Sequence, residues 1–170
     1  MAINVTPDMS KVVEWSRYLE MEDEDIEEAR LLYEEAKDFL IFYDWCGEIR
    51  ETYVGMFYPG ILAIYLFRIT PLKEGVDDWV WVVVGDIPAA YLTVDECPNP
   101  ATALDGYIGA LEEWVDAAKN GKSVANIIPV NVPATKENAD MLEKRLVFLD
   151  DRILYEYRDD LRDNPEHPKK

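Results

Sequence analysis

The spacing of apolar residues changes several times along the chain. From residue 26 to residue 43 it is helical. Ile26, Ala29, Leu32, Tyr33, Ala36, Phe39, Leu40 and Tyr43 form one stripe, and acids with Arg30 and Lys37 fill the rest. A shorter helix is expected before it. Thr6-Pro7-Asp8 offers a capping hydroxyl, a proline and an acid, and Met9, Val12, Val13, Ser16 and Leu19 keep helical spacing after them.

At Trp45-Cys46-Gly47 the period shifts. Residues Ile49 to Tyr58 are mixed and rich in strand formers, and Pro59-Gly60 supplies a turn. The runs Ile61 to Ile69, Trp79 to Val84 and Tyr91 to Val94 follow, separated by Pro71 to Gly75 and by Gly85-Asp86. The simplest arrangement is an antiparallel meander of about four strands. Its middle strands are apolar on both alternating faces: Ile61, Ala63, Tyr65 and Phe67 on one side, Leu62, Ile64 and Leu66 on the other. Trp79 and Trp81 oppose Val80, Val82 and Val84 in the same way. A sheet with one wet face would alternate apolar with polar, so both faces require cover, from helices or from a partner.

Helical spacing returns after Asn99-Pro100 with Leu104, Tyr107, Ile108, Leu111, Val115 and Ala118, and it ends near Asn120-Gly121. Val124 to Val132 is interrupted by Pro129 and reads as an extended connection or an edge strand. Thr135 then caps a last helix with Ala139, Leu142, Leu146, Leu149 and Ile153 inward, extending toward Leu161. The fold class is α+β, with two N-terminal and two C-terminal helices flanking the meander. Residues 1–163 form one domain and residues 164–170 a flexible, proline-interrupted tail.

Composition narrows the function classes. The 170 residues carry 35 Asp+Glu against 17 Lys+Arg, a formal charge of −18. Direct nucleic-acid binding is thereby disfavoured, because phosphates need positive charge to neutralise them. No apolar run reaches the roughly 18–20 residues of a membrane span, and the N-terminus does not read as a secretory signal. The expected location is the cytoplasm, with Cys46 and Cys97 as free thiols.

Most catalytic frameworks are missing. The single histidine, His167, lies in the tail, and the sequence contains neither a phosphate-binding loop nor a dinucleotide signature. No cofactor is expected. Carboxylate chemistry remains as an alternative: Asp86 follows one apolar strand and Asp95-Glu96 the next, so the three would hold a hard cation if they met at one sheet end. Cys46 and Cys97 read as buried structural thiols rather than nucleophiles.

The densest local feature is Glu20 to Glu28, where seven of nine residues are acids. Residues 1–44 hold 13 acids and 4 bases, so the charge excess is concentrated there. Acids at a helix start favour its dipole, but so many together repel one another. Glu22, Asp23, Glu24, Asp25, Glu27 and Glu28 are therefore the candidate partner-facing surface, with Trp15 and Tyr18 as anchors. Trp114, beside the inward face of its helix, is a further aromatic of interest.

The segments Trp79 to Leu92, Asn99 to Leu104 and Pro129 to Pro133 resemble a bacterial family of domains with no assigned activity, over roughly residues 45–155. The resemblance implies a bacterial cytoplasmic protein. The expected function is a non-enzymatic acidic binding or inhibitory protein acting on a basic protein partner, of the immunity, antitoxin or nucleic-acid-mimic kind. A carboxylate-based metal enzyme is one alternative. A homo-oligomer whose second copy covers an apolar sheet face is another, which leaves a homodimer open.

Overall fold

A computed structural model describes residues 6–21 and 24–163. At its centre lies a five-stranded antiparallel sheet in sequence order: β1 (Val13–Glu14), β2 (Cys46–Tyr58), β3 (Leu62–Pro71), β4 (Trp79–Gly85) and β5 (Ala90–Thr93). Four helices accompany it: α1 (Trp15–Leu19), α2 (Ile26–Ile41), α3 (Pro100–Lys119) and α4 (Lys136–Phe148). The α+β meander read from the sequence is present, with one additional short strand. Tail residues 164–170, including His167, lie outside the described residues, as do Glu22 and Asp23.

Both faces of the sheet are covered by the chain itself. Ala63, Tyr65 and Phe67 of β3, with Val80, Val82 and Val84 of β4, pack beneath α2 around Ala36 and Leu40. Leu62, Ile64, Leu66, Trp81 and Val83 face the other way, against Leu104, Tyr107 and Leu111 of α3. The α4 residues Ala139, Leu142 and Leu146 join that second cluster, followed by Leu149 and Ile153. Among the described residues the central strands β3 and β4 are thus covered on both faces by the chain's own elements.

Hydrogen bonds fix these layers where packing alone would let them slide. The buried Tyr65 hydroxyl donates to the Ala29 carbonyl of α2 at 2.6 Å. On the opposite face Trp81 Nε1 donates to the Cys97 carbonyl at 2.6 Å, and the Tyr107 hydroxyl donates to the Pro88 carbonyl at 2.5 Å. Asn99 starts α3 with a reciprocal cap: its side chain accepts from Thr102 N–H, and the Thr102 hydroxyl accepts from Asn99 N–H. Its Nδ2 also donates to the Asp160 carbonyl at 3.0 Å, tying the C-terminal turns to the body. Cys46 and Cys97 form no disulfide and are buried, one in each core cluster.

The structure corrects three details and, for residues 124–132, decides between the two alternatives in favour of the extended connection. The expected first helix is broken: Asp8, not Thr6, caps a 3-10 turn over Met9–Lys11, and Val12 is extended. Val13 then pairs with Val54 at the edge of β2, a use that suits β-branched residues better than a helix does. Residues 124–132 form no strand; Ile127, Ile128 and Val130 pack onto the α3-side core as an extended connection. The last helix gives way at Leu149–Ile153 to a wider π-helical turn and then to 3-10 turns. That turn brings Leu149, Ile153 and Leu154 inward together, a set broader than one regular helical stripe holds. Trp114 is buried and has no exposed role.

Replacing Asn99 by Ala removes the cap of α3 and the link to Asp160 while leaving buried partners unsatisfied. It is expected to lower the unfolding free energy by roughly 2 kcal/mol, read as a shift in the urea midpoint at unchanged slope.

Candidate functional site

The acidic run does not act as one surface. Glu24 is exposed and Asp25 occupies the N-cap position of α2. Glu27 is exposed and pairs with Arg30 at 3.4 Å. Glu28 turns inward: its Oε2 accepts from the Gly60 N–H at 2.5 Å, joining the helix start to the β2–β3 turn. Glu28 is thus partly committed to the fold.

The two proposed anchors are also engaged. Trp15 stacks on Tyr33 at 4.8 Å between ring centroids and meets Tyr65 edge-on at 5.8 Å. Tyr18 stacks with Trp15 and meets Phe57 edge-on at 6.5 Å. Both rings are half-buried and pack against the α2-side core, so they fasten α1 to the sheet. They lie beside the acidic start of α2 but present only part of their surface.

The carboxylates considered for a metal are kept apart by topology. Val83 pairs with Ala90 and Val80 with Thr93, so β4 and β5 run antiparallel and finish at opposite ends of the sheet. Asp86 follows the end of β4, whereas Asp95 and Glu96 lie near its start, roughly 20–25 Å away at the usual rise per strand residue. Asp86 instead faces Arg145 at 3.4 Å. No group of three His, Cys, Asp or Glu residues able to hold a metal occurs among the described residues.

A different site emerges where α2 ends. Its solvent-facing residues recur at helical spacing, with Glu27, Leu31, Glu34, Glu35, Asp38, Ile41 and Phe42 exposed. Leu31 is 72% exposed and Phe42 85%, values unusual for large apolar side chains in an isolated domain. Beside Phe42 opens a groove of about 850 Å³, walled by Phe39, Phe42 and Tyr43, by the Pro88 to Tyr91 segment, and by Ile128 to Asn131. None of its lining residues is charged, in a chain where charged residues make up 31%. Rings form its floor. Tyr43 meets Tyr91 edge-on at 5.1 Å and stacks on Trp45 at 5.2 Å, and Phe39 and Phe42 each touch Tyr43.

The groove follows from the layer arrangement. α2 covers β2, β3 and β4, but β5 is the edge strand and its Tyr91 is left exposed. The sequence held a signal for this. Phe42 falls outside the inward stripe that contains Phe39, Leu40 and Tyr43, so it had to point to solvent. Tyr91 carried no such mark, because its exposure depends on which strand is at the edge.

Next to the groove, a cleft of about 280 Å³ is lined by Trp45, Val76, Asp77, Tyr91 and Thr93 among others. Trp45 and Tyr91 lie 5.1 Å apart with their planes at 63°. Partial burial pushes the Asp77 carboxyl above its ordinary pKa, and the nearby charges of Asp95 and Asp78 push it further in the same direction.

No protein-family model matches the chain, and no curated protein or solved structure matches it, so the site is read from its geometry. Among the described residues no helix is long and apolar enough to cross a membrane.

A carboxyl whose pKa is higher folded than unfolded holds its proton more tightly in the folded chain. Its charge destabilises the fold at neutral pH, and the penalty fades as pH falls through the raised pKa. Asp77→Asn is accordingly expected to raise the urea midpoint at neutral pH, with the gain lost on acidification. Equal midpoints for the two chains at neutral pH would contradict this.

Proposed function

We propose that the protein is a non-catalytic binding protein that docks a basic protein partner along α2 and into the groove at its end. The observation that carries this reading is the outer stripe of α2. There, exposed Leu31, Ile41 and Phe42 sit among Glu27, Glu34, Glu35 and Asp38, and the stripe leads into an uncharged aromatic groove. Apolar and aromatic anchors inside a charged rim are the composition of a specific interface. From Glu27 to Phe42 the stripe runs about 22 Å at the rise of an α-helix, long enough to seat a protein surface.

The two parts of the surface have different tasks. Acids on the rim speed the encounter with a basic face and reject acidic competitors. Desolvation of Phe42, Tyr91 and the groove supplies lasting affinity. Glu24 and Glu27 extend the acidic field to the start of α2, where the charge of the chain is densest. A protein of this kind inhibits by covering a basic surface, as an immunity protein or antitoxin does, or by standing in for nucleic acid. This use accords with an expected bacterial, cytoplasmic setting.

Capture of the native partner on the tagged full-length chain, at low salt and at about 0.5 M salt, tests this directly. Neutralising Glu27, Glu34, Glu35 and Asp38 to Gln or Asn should flatten the salt dependence. Phe42→Ala should weaken the complex about tenfold or more, with the unfolding midpoint unchanged because the ring is exposed. A partner held equally well by both variants would remove the proposal.

A further inference from the structure

We infer that the cleft beside Asp77 receives an arginine side chain of the basic partner, its guanidinium set against the Trp45 and Tyr91 rings and paired with the Asp77 carboxylate. The inference rests on the binding role proposed above and adds to it a chemically specific pocket. At about 280 Å³ the cleft is smaller than the roughly 300–1,000 Å³ of small-molecule sites, so it suits one side chain rather than a cofactor.

Its walls and its charge point to the same ligand. Trp45 and Tyr91 touch edge-on and both line the cleft, so a cation seated in it beside Asp77 meets ring surface on that wall. Asp77 makes no ion pair or hydrogen bond among the described residues. Asp78 and Asp95 add negative charge nearby, and Arg68, the cation next to Asp78, is already held by Glu51 at 2.9 Å. A carboxylate kept partly dry, without a counter-charge, is relieved by an incoming cation.

The same region also shows how this chain accommodates a guanidinium. Arg68 lies over the Trp79 ring at 5.4 Å while pairing with carboxylates on its rim. The cleft at Asp77 offers the same combination of ring and carboxylate with the cation still to be supplied. A guanidinium suits it better than an ammonium, because it is planar, weakly hydrated, and able to stack and to bond a carboxylate through two N–H groups at once. The cleft and the aromatic groove share Tyr91, so an arginine here is continuous with apolar residues seated beside Phe42.

The test uses the full chain and needs no partner. N-acetyl-arginine amide, its lysine counterpart and its neutral citrulline isostere are titrated while the Trp45 indole and Tyr91 ring signals are followed by NMR. The arginine probe should saturate with a Kd on the order of 1–10 mM, and the lysine probe should bind about fivefold more weakly. The citrulline probe should not saturate. Asp77→Asn should weaken arginine binding about fivefold or more, with Tyr91→Leu as a second variant that removes a wall. Citrulline or lysine binding equal to arginine would overturn the inference, as would an Asp77→Asn chain that binds arginine unchanged. Failure here leaves the α2 interface to its own capture experiment. Failure of capture with arginine binding intact removes the partner reading alone.

Discussion

The fold depends on the two-sided apolar character of its central strands. Every residue of β3 from Leu62 to Phe67 is buried, and so is β4 from Val80 to Val84. Such strands cannot face water on either side, so each face needs a layer, and in this chain its own helices supply both. α3 and α4 cover one side. The other side falls to α2, whose inward stripe is spent on Ala29, Ala36 and Leu40. The outside of α2 is acidic with apolar interruptions.

The same constraint locates the groove. α2, with Trp15 and Tyr18 of α1 beside it, covers β2 to β4 and leaves Tyr91 of β5 exposed, so the aromatic residues at the end of α2 and on β5 meet solvent and one another. Tyr43, Trp45 and Tyr91 form a mutual cluster there, and Trp45 also packs against the α2-side core. A strand edge flanked by rings and by an extended, proline-containing segment is a common place for a protein to receive another chain.

Much of this architecture is legible in the sequence, for identifiable reasons. The period-2 runs from 61 to 69 and from 79 to 84 are long and unbroken, so the strands and their two faces follow directly. Asn99-Pro100-Ala101-Thr102 carries its helix start in the residue types alone, and Thr135 does the same for α4. The first helix misled because Val12 and Val13 fit a helical stripe as well as an edge pairing, and only the position of Val54 decides between them. The acidic run was legible as charge but not as geometry: nothing local shows that Glu28 reaches Gly60, or that Trp15 and Tyr18 are spent on Tyr33, Tyr65 and Phe57. A meeting of Asp86 with Asp95 and Glu96 conflicts with the antiparallel meander itself, in which consecutive strands finish at opposite ends of the sheet. The groove needed long-range information, since residues near 42, 91 and 130 come together only once the sheet order is known.

The manner in which α2 is fastened has a mechanical consequence. Near its start it is held by two directional bonds, from the Tyr65 hydroxyl to Ala29 and from the Gly60 N–H to Glu28. Toward its other end, Phe39, Phe42 and Tyr43 are held by ring contacts, which tolerate sliding and tilting in a way that hydrogen bonds do not. A pull on α2 is therefore resisted by oriented bonds at its acidic end and by buried Leu40 with ring packing at the groove.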